Sequence, residues 1–161
     1  MKWVQKYREV IVEIISYLFI LLFVYAGLTK LLEGNRFHTN LINSPLLGGK
    51  TVADVASWSI PLAELIVAVL LCLPKFRLAG LYGALGLLLI FTTYTVGILF
   101  FAPYTPCSCG GVITLLSWEQ HLALNGSCTL LAIVALILAH KYKNNEKTEL
   151  SRYQLDRDGT Q

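Results

Sequence analysis

The sequence predicts an all-α fold, an integral membrane four-helix bundle with both termini in the cytoplasm. Hydrophobic residues make up 55% of the 161 residues and charged residues only 14%, whereas about a quarter of the residues in a soluble domain are charged. Four apolar stretches each have about the 20 residues that an α-helix needs to cross a bilayer. Lys and Arg concentrate on one side of the resulting topology, which marks that side as cytoplasmic.

We divide the chain into a four-span membrane domain, residues 1–143, and a polar cytoplasmic tail, residues 144–161. The spans cover about residues 10–32, 52–73, 78–101 and 119–140. The composition of the tail predicts poor order. The first apolar run is long for a signal peptide and leads to no small-residue cleavage site, so we expect a retained helix.

A short helix is predicted on the outer face, between the first and second spans. Phe37 and Leu41 have helical spacing, and with Ile42 they give this segment an apolar side that suits the membrane interface. Ser44 and Pro45 then interrupt the helical pattern.

The orientation follows from the distribution of basic residues. Eight of them fall on one side of the four-span model: Lys2, Lys6, Arg8, Lys75, Arg77, Lys141, Lys143 and Lys147. The opposite side has Lys30, Arg36 and Lys50 in or beside the first connector, and none between Arg77 and Lys141. The positive-inside rule therefore puts the segment between the third and fourth spans outside the cytoplasm, in the periplasm of a bacterial inner membrane. We find no basic patch interleaved with aromatic residues, so we expect no nucleic-acid partner.

That outer segment contains the most chemically distinctive motif of the chain. Cys107 and Cys109 lie one residue apart, preceded by Pro106 and followed by Gly110 and Gly111. A disulfide across one residue requires a bent turn, and strain raises its reduction potential, which suits exchange more than structural bridging. The glycines permit unusual backbone angles and leave room for a partner chain.

The fourth span supplies a third outer thiol. His121, Asn125 and Cys128 are spaced i, i+4 and i+7, so they share one helix face. A nearby histidine favours the thiolate form of an attacking cysteine. Cys72 lies beside the cytoplasmic turn, far from the other three, and we expect it to be reduced and apolar in character.

Two other interpretations of these cysteines remain open. Cys107, Cys109, Cys128 and His121 are suitable ligand types for copper or zinc, although a second closely spaced ligand pair is missing. The thiols could also be inert.

Lys30 and Glu64 are charged residues within predicted spans. Glu64 lies near the middle of the second span, where an ionisable group is costly and suggests a function. The long Lys30 side chain can bend toward it, so we expect either a buried pair that fixes helix packing or a group that handles protons.

Four sequence elements resemble one known family. They are Gly27-Leu28-Thr29-Lys30-Leu31, a connector with Phe37, Leu41, Ser44 and Pro45, the segment Pro61-Leu62-Ala63-Glu64, and the outer Cys107-Ser108-Cys109-Gly110. Together they resemble the MauE branch of the DoxX-like membrane proteins, over about residues 10–140. The resemblance implies a four-helix membrane bundle linked to redox or disulfide maturation of exported proteins, with thioredoxin-like periplasmic partners.

These observations lead to one main functional hypothesis and one alternative from another class. The main hypothesis is an inner-membrane thiol–disulfide protein in which Cys107 and Cys109 exchange with a soluble redoxin or an exported substrate, and Cys128 is a candidate resolving thiol. His121 and Asn125 would tune that exchange, and Lys30 and Glu64 would stabilise the bundle. We assign no definite cofactor and keep a quinone as a candidate, by analogy with disulfide-generating quinone reductases. Their active pair is Cys-x-x-Cys, which this chain lacks.

The alternative is a non-enzymatic subunit that packs against a larger transport or secretion complex in the bilayer. Gly80, Gly83 and Gly86 support it, because small residues along one side of the third span suit close helix packing.

Overall fold

A computed structural model describes residues 2–46, 49–102 and 117–158. These residues form five α-helices and no strand within the described ranges. The helices are α1 (Lys2–Leu32), α2 (Gly34–Ile42), α3 (Lys50–Cys72), α4 (Arg77–Phe101) and α5 (Trp118–Asp158). The predicted all-α class is therefore confirmed.

Four of the helices are long and apolar enough to cross a membrane. Their apolar parts are Lys6–Leu32, Lys50–Cys72, Arg77–Phe101 and Trp118–Lys141. Large apolar side chains point away from the bundle, including Leu21 at 72% exposure and Ile14 at 62%. Such a surface suits lipid, and helices also satisfy their backbone polar groups internally, as the bilayer requires. The chain is a multi-pass membrane protein; the side on which its termini lie stays a prediction.

The four long helices pack around a square. Helix α1 packs against α3 and α5, and α4 packs against the same two helices, so α1 and α4 are diagonal neighbours. The main core lies in the half of the bundle nearer the start of α1. It contains Phe19 of α1, Leu71 of α3, Leu81 of α4 and Ala132 of α5, all buried.

Helix α2 confirms the predicted short connector helix. Its Phe37 and Leu41 are buried and form a second, smaller apolar cluster with Ala53 of α3. Beyond its end, the buried Ser44 hydroxyl lies 3.0 Å from the hydroxyl of Tyr94 in α4. The connector is therefore fixed on α3 and on α4.

Helix α5 continues through the polar tail to Asp158. Residues 144–158 are therefore helical, in contrast to the poor order that their composition predicts. Hydropathy identifies where the apolar part of a helix ends, but it does not require the helix itself to end there.

Of the three glycines in the first half of α4, two serve contacts within the chain. A Cβ atom at Gly80 would lie 2.8 Å from the backbone nitrogen of Leu71, and one at Gly83 would lie 2.8 Å from a methyl group of Val67. No atom lies within 4 Å of the corresponding position at Gly86. Gly80 and Gly83 thus allow α3 and α4 to approach closely, and only Gly86 remains free for contact with another protein.

This difference predicts opposite outcomes for two similar substitutions. Gly80→Ala should destabilise the bundle by about 1–3 kcal/mol, because the added methyl group meets the α3 backbone, which cannot move aside. Gly86→Ala is the matched control and should cause no loss, since alanine has the higher helix propensity. Unfolding in a denaturing detergent, followed by circular dichroism, measures both. Equal stability of the two variants would contradict the close approach of α3 and α4.

Candidate functional site

The candidate site is built around an ion pair between α1 and α3. Lys30 Nζ donates a hydrogen bond to Glu64 Oε1 at 2.6 Å. The side chains are only 9% and 1% exposed. At 1.5 Å per residue, Glu64 lies roughly 21 Å along α3 from Lys50, which places it deep in the span. The structure confirms that Lys30 reaches Glu64.

A glycine and a proline bring the two helices close enough for this pair. A Cβ atom at Gly27 would lie 3.2 Å from the Pro61 carbonyl oxygen and 3.1 Å from Cγ of Leu65. Lys30 follows Gly27 by three residues, and Glu64 follows Pro61 by three. Since α1 and α3 touch at Gly27 and Pro61, the lysine needs only to bend its flexible side chain to reach the carboxylate.

A cavity of about 150 Å³ lies beside the ion pair. Lys30 and Glu64 line it, and His121 and Asn125 from α5 line it too. The structure therefore brings together four of the predicted site residues from three helices. Asn125 is 7% exposed, and Glu64 is completely buried.

Three buried polar atoms of the cavity residues have no hydrogen-bond partner among the described residues. They are Glu64 Oε2, His121 Nδ1 and Asn125 Nδ2. A buried polar atom without a partner costs about 1–3 kcal/mol, and such an atom calls for a specific explanation. One acceptor and at least one donor therefore face a space in which a small polar group fits.

The remaining walls are mostly apolar and aromatic. Phe23, Phe91, Tyr94 and Trp118 line the cavity, and Lys30 Nζ lies 5.4 Å from the centroid of the Phe91 ring. An aromatic face attracts a cation at that distance, so Phe91 adds to the stabilisation of the buried lysine.

The sequence alone does not assign these aromatic residues to the site. Tyr94 and Trp118 are typical interfacial or packing aromatics by sequence alone. A signal for Trp118 was nevertheless present, because Trp118, His121 and Asn125 are spaced i, i+3 and i+7 on one face of α5.

A second cavity, of about 370 Å³, also has Lys30 in its lining. Its lining includes Asn35, His38, Asp54 and Ser57. His38 Nε2 lies 2.6 Å from Asp54 Oδ1, and the two side chains are 30% and 53% exposed. This polar cleft connects the protein surface with the buried lysine.

The cysteines are placed differently from one another. Cys107 and Cys109 lie outside the described residues. Cys128 is 6% exposed and belongs to the main apolar core, so it does not line the cavity beside His121 and Asn125. Cys72 is exposed at the end of α3, and neither it nor Cys128 is in a disulfide within the described part of the chain.

The metal interpretation depends on residues that the structure does not describe. Within residues 2–46, 49–102 and 117–158, no three His, Cys, Asp or Glu side chains cluster as metal ligands do. Cys107 and Cys109, two of the four predicted ligands, lie between the second and third of these ranges.

Comparison with known proteins identifies a family. The family model described as "Methylamine utilisation protein MauE" matches residues 8–138, a region that contains the ion pair, the cavity, Cys107 and Cys109. No curated protein and no solved structure matches the chain. The predicted resemblance to MauE is confirmed, while the relation to DoxX-like proteins stays a prediction.

The buried ion pair gives a sharp stability prediction. Lys30→Met and Glu64→Leu should each destabilise the bundle by about 3–5 kcal/mol, because each leaves an unpaired charge in an apolar interior. The double variant should lose much less than the sum of the two losses, since no unpaired charge remains. Free energies of unfolding in detergent, measured as a double-mutant cycle, test this.

The control for this cycle is an ion pair near the surface. Arg77 Nη2 lies 3.4 Å from Glu13 Oε1, whose side chain is 41% exposed. Glu13→Gln should cost at most about 1 kcal/mol, because water screens such pairs. If Lys30→Met were no more destabilising than Glu13→Gln, the buried pair would not have the structural role given to it here.

Proposed function

The chain belongs to the MauE family, and on that premise we propose that it is a thiol–disulfide redox protein of the bacterial inner membrane, acting on exported proteins through Cys107 and Cys109. One observation supports this most directly. The segment with both cysteines joins α4 to α5, and the first turn of α5 lines the cavity beside the Lys30–Glu64 pair. The thiols are thus covalently linked, over about ten residues, to the part of the bundle that holds its buried polar groups.

The proposed chemistry is thiol–disulfide exchange. A thiolate from one outer cysteine attacks a disulfide sulfur of the partner, a mixed disulfide forms and the partner's other sulfur leaves as a thiolate. The second outer cysteine then attacks the mixed disulfide and releases the reduced partner, leaving a disulfide between Cys107 and Cys109. In the opposite direction, the same steps oxidise a partner dithiol.

The partner is a thioredoxin-like periplasmic protein or an exported substrate that contains cysteine. The distribution of Lys and Arg, with none between Arg77 and Lys141, supports a periplasmic position for Cys107 and Cys109, where such a partner can reach them. The periplasm is also a compartment in which disulfides persist.

The supporting residues divide into two groups. Lys30 and Glu64 hold α1 against α3, and His121 and Asn125 tune the polar environment at the start of α5. Cys128 is the candidate resolving thiol. Its burial in the main core means that the outer segment has to enter the bundle before a disulfide with Cys128 can form.

The alternative, a non-enzymatic subunit of a larger membrane complex, has less support. It drew on the glycines of α4, and α3 already packs against Gly80 and Gly83. Thiol exchange is therefore the function that we develop.

A single cysteine substitution should trap the partner. In cells that express Cys109→Ser, the mixed disulfide at Cys107 cannot be resolved by its neighbour, so a covalent complex should accumulate on non-reducing gels. Cys72→Ser is the matched control and should trap nothing. The proposal would be contradicted if neither the Cys107→Ser variant nor the Cys109→Ser variant formed such a complex, and if exported disulfide proteins matured normally in both strains.

The proposed topology has its own test. A membrane-impermeant maleimide, added to intact cells after mild reduction, should label Cys107 and Cys109 and leave Cys72 unlabelled until the membrane is permeabilised. Single-cysteine variants assign each label by mass. Labelling of Cys72 in intact cells, with Cys107 and Cys109 unlabelled, would indicate the opposite orientation, in which Cys107 and Cys109 face the cytoplasm.

A further inference from the structure

We propose that the cavity beside Lys30 and Glu64 binds the headgroup ring of a membrane quinone, which accepts the electrons that the outer cysteines collect. The geometry of the cavity supports the binding site. The electron-acceptor role rests on the proposed function. Three features of the cavity lead to this ligand class: its size, its polar atoms and its opening to the bilayer.

The size of the cavity matches a single ring. Its volume is about 150 Å³, and an apolar protein cavity of about that volume accommodates one benzene-sized molecule. Aromatic side chains form part of the apolar walls, with Phe23, Phe91, Tyr94 and Trp118 among them. Flat rings pack well against such walls.

The polar atoms require a ligand that both donates and accepts hydrogen bonds. Asn125 Nδ2 can donate only, Glu64 Oε2 as a carboxylate can accept only, and neither atom has a partner among the described residues. The opposite charges of Lys30 and Glu64 cancel, which favours a neutral ligand. The oxidised quinone has acceptors only, so its carbonyl pairs with Asn125 alone. The reduced quinol pairs with both residues, because one hydroxyl oxygen accepts from Asn125 and the other hydroxyl donates to Glu64. A lipid acyl chain would fill the volume but leave both polar atoms without partners.

The cavity also reaches the apolar surface of the bundle. Ile90 of α4 and Leu124 of α5 line it, and these side chains are 63% and 40% exposed. Because both lie within membrane-spanning parts of their helices, the opening faces lipid. A ligand with an apolar tail can therefore insert its ring into the cavity while its tail remains in the bilayer.

The reaction balances in atoms and electrons. Two thiols become a disulfide and release two electrons and two protons, and the quinone takes up two electrons and two protons to become a quinol. Lys30 lines both the ring cavity and the polar cleft with His38 and Asp54. That cleft gives protons a polar route as far as Lys30.

Binding can be tested separately from redox activity. The full-length Cys107→Ser/Cys109→Ser protein in lipid nanodiscs is titrated calorimetrically with ubiquinone-1, which has a single isoprenoid unit. Empty nanodiscs correct for partitioning into lipid. We expect saturable binding. Ala26→Leu, which fills the cavity, and Asn125→Leu, which removes the donor, should each weaken binding about tenfold or more, since tenfold corresponds to about 1.4 kcal/mol.

Ala123→Leu is the matched control. Ala123 is exposed on α5 and does not line the cavity, so this variant should bind like the parent protein. Circular dichroism verifies that each variant is folded. The absence of saturable binding to the parent protein, or equal binding to Ala26→Leu, Asn125→Leu and the parent, would overturn the inference and indicate that water or lipid fills the cavity.

A second measurement separates this inference from the proposed function. The reduced protein with native cysteines is mixed with ubiquinone-1, and the loss of thiols is followed together with quinol formation. We expect two thiols lost per quinol formed, and neither change in the Cys107→Ser/Cys109→Ser protein. A protein that traps a partner but neither binds nor reduces the quinone overturns the inference alone. A protein that binds the quinone but neither traps a partner nor loses thiols confirms the cavity site and overturns the thiol chemistry.

Discussion

The buried ion pair between Lys30 and Glu64 is the interaction on which the rest of this structure depends. An isolated charge within the bilayer is costly, and two opposite charges are tolerated when they meet. Their 2.6 Å contact fixes α1 against α3 at one depth, and the close approach at Gly27 and Pro61 fixes the same register. The cavity then forms where α4 and α5 complete the square around the pair. The pair and the close packing at Gly27 together select this register, because large apolar side chains gain little by leaving lipid that is as apolar as they are.

The bundle is consequently divided along its length into two halves with different physical characters. The half nearer the start of α1 is closely packed, with fully buried side chains such as Phe19, Leu81 and Ala132. The other half contains the ion pair, the ring-sized cavity and the polar cleft. Helix α2, which is fixed on α3 through Phe37 and Leu41, belongs to this second half. This arrangement suits ligand binding, because the stability of the closely packed half offsets the free-energy cost of the unpartnered polar atoms in the other half.

The sequence was sufficient for some of these features and not for others. Hydropathy and length predict the four spans, because both follow directly from the thickness of the bilayer. The meeting of Lys30 and Glu64 is also predictable, since a charge deep in a span has few ways to be neutralised. The cavity is not predictable from the sequence, because its walls depend on how Phe91 and Tyr94 of α4 are placed relative to side chains of the other helices. Cys128 shows the same limit: it shares a helix face with His121 and Asn125, yet it lies further along α5, where this face packs into the main core.

The segment between α4 and α5 links the buried polar cavity to Cys107 and Cys109. The central proposal is that these two cysteines take part in disulfide chemistry. A mass-spectrometric disulfide map of protein isolated after rapid alkylation, without reduction, tests this most directly. The account predicts that Cys107 or Cys109 is found in a disulfide, with its neighbour, with Cys128 or with another protein, while Cys72 is alkylated. Complete alkylation of Cys107, Cys109 and Cys128 under every growth condition would contradict it.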